Sequence, residues 1–264
     1  MIKLVVTDID STLVPDGSVT INPEYFTVIE ELKKKGITFA VCSGRHASSV
    51  KKVFEPVLDK IWIASQNGNV IEHDGKVKVF HTFPQEWARE FWNDLSKEKD
   101  VECILDTAVR SYCPYGDTEM YHILTDEYQY DLHASGGWEH FPEDEYSLVT
   151  IYHPDAVTLL DKPLLRDKWS ERVTITKSGK IWIICSMQGV SKGAALLDMC
   201  RQLDIDPRES IAFGDGYNDI PMIQAAGIGY AVKSERTEVM DAADIVIPGY
   251  ESHGVLKELK KLLD

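Results

Sequence analysis

Asp8 and Asp10 close the run Lys3-Leu4-Val5-Val6-Thr7-Asp8-Ile9-Asp10. In extended backbone, residues two apart point to the same side. Both carboxylates would then crowd at the tip of an apolar strand, where like charges repel strongly unless a cation lies between them. The pair suggests metal binding, proton transfer, or both. Other polar clusters also follow apolar runs. Ser43-Gly44-Arg45 follows Ile37–Cys42, Asn67-Gly68 follows Ile61–Ala64, and Gly214-Asp215-Gly216-Tyr217-Asn218-Asp219 follows Ser210–Phe213. Taken singly, Ser43-Gly44 and Asn67-Gly68 read as strand-end turns, and Asp219 reads as a helix N-cap. Taken together they converge, because ligands of open parallel sheets bind outside the carboxyl ends of the strands. Asp8, Asp10 and Asp215 gathered at one edge need a cation. Lys192 supplies part of it, from the start of a helix expected over Ala194–Leu203. A lysine there opposes the helix dipole, and an anion held between it and the helix end would resolve the conflict.

The elements that must position these groups alternate along both ends of the chain. Strand-like runs at Ile2–Val6, Ile37–Cys42 and Ile61–Ala64 are separated by helical patterns at Pro23–Lys35 and about Ala47–Phe54, with Gly36 as a helix stop. The rhythm returns with Ser210–Phe213, a helix near Asp219–Ala226, Gly229–Val232, a short helix near Glu235–Ala242, and Asp244–Ile247. Strands apolar on both faces, alternating with helices, predict an α/β fold with a parallel sheet wrapped by helices.

The middle of the chain reads as antiparallel. Asp74-Gly75 between Val70–Ile71 and Lys76–Phe80 is a hairpin signal. Pro84–Lys97 and Pro154–Lys168 look helical. Val101–Leu105, Arg110–Pro114, Tyr146–Tyr152, Arg172–Lys177 and Lys180–Cys185 look like strands, the last two joined at Ser178-Gly179. The expected organisation is a core of residues 1–82 and 188–264 carrying an inserted α+β domain of residues 83–187.

Composition narrows the function. With 264 residues and 44% hydrophobic content, the chain can bury a sizeable core. A net charge of −15, from 43 acidic against 28 basic residues, argues against nucleic acid or an anionic membrane surface as partner. It leaves room for a small anionic substrate in one cleft. Cys42, Cys103, Cys113, Cys185 and Cys200 have no metal-finger spacing and read as buried reduced thiols. With no signal-peptide pattern and no long apolar stretch, a cytoplasmic location is expected.

Asp8-Ile9-Asp10-Ser11-Thr12-Leu13, Ser43-Gly44-Arg45, Lys192-Gly193 and Gly214-Asp215-Gly216-Tyr217-Asn218-Asp219 resemble the four motifs of the haloacid dehalogenase superfamily of phosphohydrolases. The insert between the second and third motifs, with Ser65-Gln66-Asn67-Gly68 upstream, resembles the Cof-type sugar-phosphatase branch. Ser11 departs from that branch, which usually has Gly there. The resemblance implies hydrolysis of a small phosphate monoester through an aspartyl-phosphate. Asp8 would be the nucleophile, and Asp10 would serve as general acid and then base. Mg²⁺ would be held by Asp8, the main-chain carbonyl of Asp10, and Asp215. Ser43, the Ser11 amide, Lys192 and Asn218 would contact phosphate, and Asp219 would orient Lys192 or a metal-bound water. Gly44, Arg45 and Asn67 would face the substrate. The insert would act as a lid that sets specificity, with Trp138, His140, His153 and Trp182 as candidates.

A superfamily phosphotransferase or mutase fits the same motifs. Gly189-Val190-Ser191-Lys192-Gly193 also matches a serine-hydrolase nucleophile elbow, with Asp215 and His253 following in order. That reading leaves Asp8, Asp10 and Ser43 unexplained. A non-catalytic phosphate-binding switch would need no insert.

Overall fold

The structure, a computed structural model, describes residues 1–178 and 180–264. The chain divides into two compact units, Met1–Lys78 with Ser191–Asp264, and Val79–Val190. In chain order, the first unit begins with β1 (Leu4–Thr7), α1 (Glu24–Lys34), β2 (Thr38–Cys42), α2 (Ala47–Val53), β3 (Ile61–Ser65), β4 (Val70–His73) and β5 (Lys76–Val79), whose last residue opens the second. The second contains α3 (Gln85–Leu95), β6 (Glu102–Asp106), β7 (Ser111–Cys113), α4 (Glu119–His122), β8 (Leu132–Ala134), β9 (Leu148–Tyr152), α5 (Ala156–Leu160), β10 (Thr174–Ser178) and β11 (Trp182–Ser186). The chain returns to the first unit through α6 (Lys192–Leu203), β12 (Ser210–Gly214), α7 (Ile220–Ala225), β13 (Ile228–Val232), α8 (Thr237–Asp241), β14 (Ile245–Ile247) and α9 (Gly254–Lys261).

The first unit is built on an eight-stranded sheet in the order β14-β13-β12-β1-β2-β3-β4-β5. Strands β14 through β3 are parallel, and β4 runs antiparallel to β3. The β4–β5 hairpin turns on Asp74 and Gly75, both at positive φ, as a tight type I′ connection requires. Helices cover both faces. Consecutive side chains of β13 point oppositely, so Tyr230 packs with the core of Val5, Phe39, Ile211 and Phe213, whereas Ala231 packs with Ile223 and Val239. Helix α1 buries Tyr25, Val28, Ile29 and Leu32 on one stripe. These are the α/β elements that the strand–helix rhythm predicts.

The second unit has a six-stranded sheet in the order β10-β11-β9-β6-β7-β8, antiparallel except for β7 with β8. Its core joins Ala88, Phe91, Trp92 and Leu95 of α3 to Val149, Ile151, Ile183 and Cys185 of the sheet. Trp138 meets Trp92 edge-on at 4.9 Å and belongs to this packing, whereas Trp182 meets Tyr152 edge-on in a second cluster with Ile104 and Met120. The helix expected over Pro154–Lys168 is instead two pieces, α5 and a π-helical turn at Leu164–Trp169. Pro163 lies between them and cannot donate to the preceding turn. Gly179, half of the expected Ser178-Gly179 turn, lies outside the described residues. The cysteines are all buried and unpaired. Among the described residues, no helix is long and apolar enough to cross a membrane.

Candidate active site

Strands β12, β1, β2 and β3 are parallel neighbours, and each is followed at the same edge by a polar residue, Asp215, Asp8, Ser43 and Gln66. Asp8 continues the ladder of β1, its amide donating to the Phe213 carbonyl, and Asp215 directly follows β12. Asp8, Asp215 and Asp219 are buried, and each offers an oxygen within 4.8 Å of the others. Asp219 is drawn into the group by the turn after β12. Its Oδ2 accepts the Asp215 and Gly216 amides at 3.0 and 2.8 Å. A Cβ on Gly214 would come within 2.4 Å of the Asp219 side chain, so only glycine leaves room for that return.

Lys192 lies fully buried at the first residue of α6, 2.8 Å from Asp8 Oδ1 and 2.6 Å from Asp219 Oδ1. The conflict between a lysine and the helix dipole is thus met by two carboxylates of the protein itself. Burial opposes the charge on Lys192, but Asp219 and Asp8 outweigh it and hold the ammonium well above the ordinary lysine range. Burial pushes the Asp8 carboxyl well above the usual carboxylate range, with Asp219, Asp215 and Asp10 adding to the push and Lys192 opposing it. Burial, then Asp219, raises Asp215 to about 6 against Thr12, Arg236 and Lys192. These directions mark a site short of positive charge. Its carboxylate oxygens suit a hard cation such as Mg²⁺.

The Asp10 carboxylate belongs to a different network. Arg45 forks onto it, with Nε on Oδ2 at 2.8 Å and Nη2 on Oδ1, and the Gly17 amide donates to Oδ1 at 2.9 Å. Its main-chain carbonyl remains the candidate metal ligand. Arg45 also reaches the Ser18 carbonyl and Ser49 Oγ, which leaves it buried. The planar fork of Arg45, expected on the substrate side, is turned onto Asp10. Gly44 beside it is half-buried. Asn67 is also buried, and its Oδ1 accepts Asn218 Nδ2 at 2.9 Å. That bond pairs two predicted site residues with each other. Gln66, Asn67 and Gly68 all have positive φ, a costly run for non-glycine residues that packing must hold in place.

Ser43 is buried after β2, and its Oγ accepts the Arg45 amide at 3.1 Å. The expectation that the Ser11 amide binds phosphate is corrected. That N–H donates to the Val14 carbonyl at 2.8 Å, because the chain curls back after Asp10. Ser11 keeps the left-handed backbone of a glycine position, with φ +58. Thr12 and Arg236 were not foreseen. Thr12 Oγ1 donates to Asp215 Oδ1 at 2.8 Å, and Arg236 Nη1 donates to Asp215 Oδ2 at 2.6 Å. The spacing of Thr12 from Asp10 could have flagged it. Nothing local marks Arg236, which sits in a loop before α8. The serine-hydrolase alternative fails on contacts. Ser191 Oγ caps α6 by accepting the Ala194 amide, Asp215 is held by Thr12 and Arg236, and His253 is exposed before α9.

The chain matches the haloacid dehalogenase-like hydrolase family over residues 5–259. It is 27% identical to phosphatase YwpJ of Bacillus subtilis, over 99% of this chain and 100% of that protein. A solved structure from Eubacterium rectale is 34% identical, with a TM-score of 0.87 over 99% of both chains. The subclass IIB sugar phosphatase BT4131 has the same fold, at 23% identity and a TM-score of 0.84 over 98% of both chains. The chain therefore belongs to the haloacid dehalogenase-like hydrolase family.

Proposed function

We propose that this protein hydrolyses phosphate monoesters of small metabolites through a phosphorylated Asp8. The observation that carries the reading is Asp8 itself, a buried carboxylate at a strand end, among Asp215 and Asp219 and 2.8 Å from Lys192. The phosphatase names of the relatives support the reaction class. An Asp8 oxygen attacks phosphorus and the ester oxygen leaves, taking a proton from Asp10. Water then attacks the aspartyl-phosphate, Asp10 accepts its proton, and inorganic phosphate departs. Lys192 has three N–H donors, and with two directed at Asp8 and Asp219 the third is suited to a phosphate oxygen. Ser43 and Asn218 are the other proposed phosphate contacts. Asp219 holds Lys192. Arg45 holds Asp10 in orientation.

Mg²⁺ fits the carboxylate donor set, with Asp8, Asp215 and the Asp10 carbonyl as its proposed ligands. When bound, it supplies positive charge that screens the approach of one anion to another. The unit of Val79–Val190 is proposed to set substrate choice, so that replacing it with a linker removes selectivity among small phosphate esters.

Release of phosphate from p-nitrophenyl phosphate by wild type and Asp8→Asn tests the assignment. The variant is expected to fold and to keep less than about a hundredth of kcat, a barrier increase of roughly 2.7 kcal/mol. Greater residual turnover would assign the nucleophile elsewhere.

A further inference from the structure

Resting on the cation site just proposed, we infer that Arg236 is its displaceable counter-ion: it neutralises Asp215 until a divalent cation arrives, and thereby weakens the affinity of the site for that cation. Each acid at the strand edge already has a tethered cation. Lys192 serves Asp8 and Asp219, Arg45 serves Asp10, and Arg236 serves Asp215. They differ in depth. The Lys192 side chain is 0% exposed, that of Arg45 is 2% exposed, and that of Arg236 is 36% exposed. Lys192 and Arg45 are enclosed, and Arg45 is also fixed by Ser18 and Ser49. Arg236 reaches in from the loop between β13 and α8, and its side chain is the one of these three that is substantially exposed to solvent.

The contact is specific. Arg236 Nη1 donates both to Asp215 Oδ2 at 2.6 Å and to the Asp215 carbonyl at 3.2 Å. The backbone behind it is tied to the first turn of α8, since the Arg236 carbonyl accepts the Val239 amide at 3.1 Å. The side chain can therefore leave without moving the loop. Asp215 Oδ1 takes the Thr12 hydroxyl, so both oxygens of this acid are engaged. A cation binding Asp215 can share it with a hydroxyl, which is neutral. It cannot share it with a guanidinium without like-charge repulsion. Arg236 thus spares the metal-free protein a buried unpaired acid, at the expense of metal affinity.

The test is calorimetric titration of the chelator-treated full chain with MgCl₂ and MnCl₂, together with melting curves with and without Mg²⁺, for wild type, Arg236→Gln and Arg236→Lys. Arg236→Gln is expected to bind the cation about fivefold more tightly or better, with Arg236→Lys close to wild type. Its melting temperature should fall below wild type without metal and match it at saturating Mg²⁺. An unchanged or weaker affinity in Arg236→Gln, or an equal loss of melting temperature with and without Mg²⁺, overturns the inference and leaves the cation site standing. If wild type binds no divalent cation, the site and the inference fall together.

Discussion

Replacing Lys192 by Met keeps an unbranched apolar stem and deletes the charge. The ammonium lies 2.8 Å from Asp8 and 2.6 Å from Asp219 with no exposed side-chain surface, so nothing from solvent can take its place. Removing one partner of a buried ion network leaves uncompensated charge and costs about 3–5 kcal/mol. Asp219 retains the Asp215 and Gly216 amides, so Asp8 bears the larger share. Its carboxyl, already raised by burial, would rise further and spend more of its time protonated, which also lowers kcat. An acid whose folded pKa lies above its unfolded value stabilises at low pH and loses that contribution as pH rises. The deficit of Lys192→Met relative to wild type should therefore widen from about pH 5 to about pH 8. Mg²⁺ should recover part of it. Urea unfolding followed by tryptophan fluorescence, with and without Mg²⁺, measures each of these terms. Combining the variant with Asp219→Asn should give a coupling energy of about 1–3 kcal/mol, because the two side chains share a contact. A Lys192→Met protein within about 1 kcal/mol of wild type at pH 8, or strict additivity with Asp219→Asn, would refute the compensation argument.

Arg45→Ala is expected to lower kcat at least about tenfold with little change in KM, since Arg45 acts through Asp10; Arg45→Lys should not rescue, because a point charge cannot replace a fork. Asp106 of β6 is buried with Ser111 Oγ on Oδ1, and burial raises its carboxyl to about 7 against that hydrogen bond. That contribution to stability is complete below the unfolded value and lost as pH climbs through the folded one, so Asp106→Asn should stabilise at pH 8 by up to about 4 kcal/mol and have no such effect near pH 4, read from urea midpoints. Ser11→Gly should raise stability by roughly 0.5–1 kcal/mol, since φ +58 suits glycine, and should leave the phosphatase rate unchanged; a loss of rate would give the Ser11 hydroxyl a role.

The sequence carries the parallel sheet because β1, β2, β3 and β12 are apolar on both faces, a pattern with few other homes. It also carries the position of Asp8, Asp215 and Lys192, since each sits where an element starts or stops. What it hides is side-chain direction. Arg45 follows a strand end exactly as a substrate contact would, yet turns back onto Asp10. The Ser11 amide looks available until the chain curls and Val14 takes it. Arg236 reaches Asp215 from a loop 21 residues later, a separation at which local pattern has no purchase. In the second unit, the break at Pro163 was written in the sequence, whereas β8 is too short, at Leu132–Ala134, to leave a period.

A cluster of buried acids destabilises the metal-free chain unless the protein supplies cations of its own. Four carboxylates at one strand edge would each lose hydration and repel the others. The cations answer this at different depths. Lys192 sits at the floor, bridging Asp8 and Asp219, and its removal leaves two charges stranded. Arg45 lies in the wall, and its fork fixes the orientation of Asp10 as well as its charge. Arg236 stands at the rim, where the same type of ion pair meets solvent and is weaker for it. The gradient in exposure is thus a gradient in exchangeability. An incoming divalent cation competes at the rim, against the weakest of these pairs, and leaves intact the floor and wall that hold Asp8 and Asp10 in place.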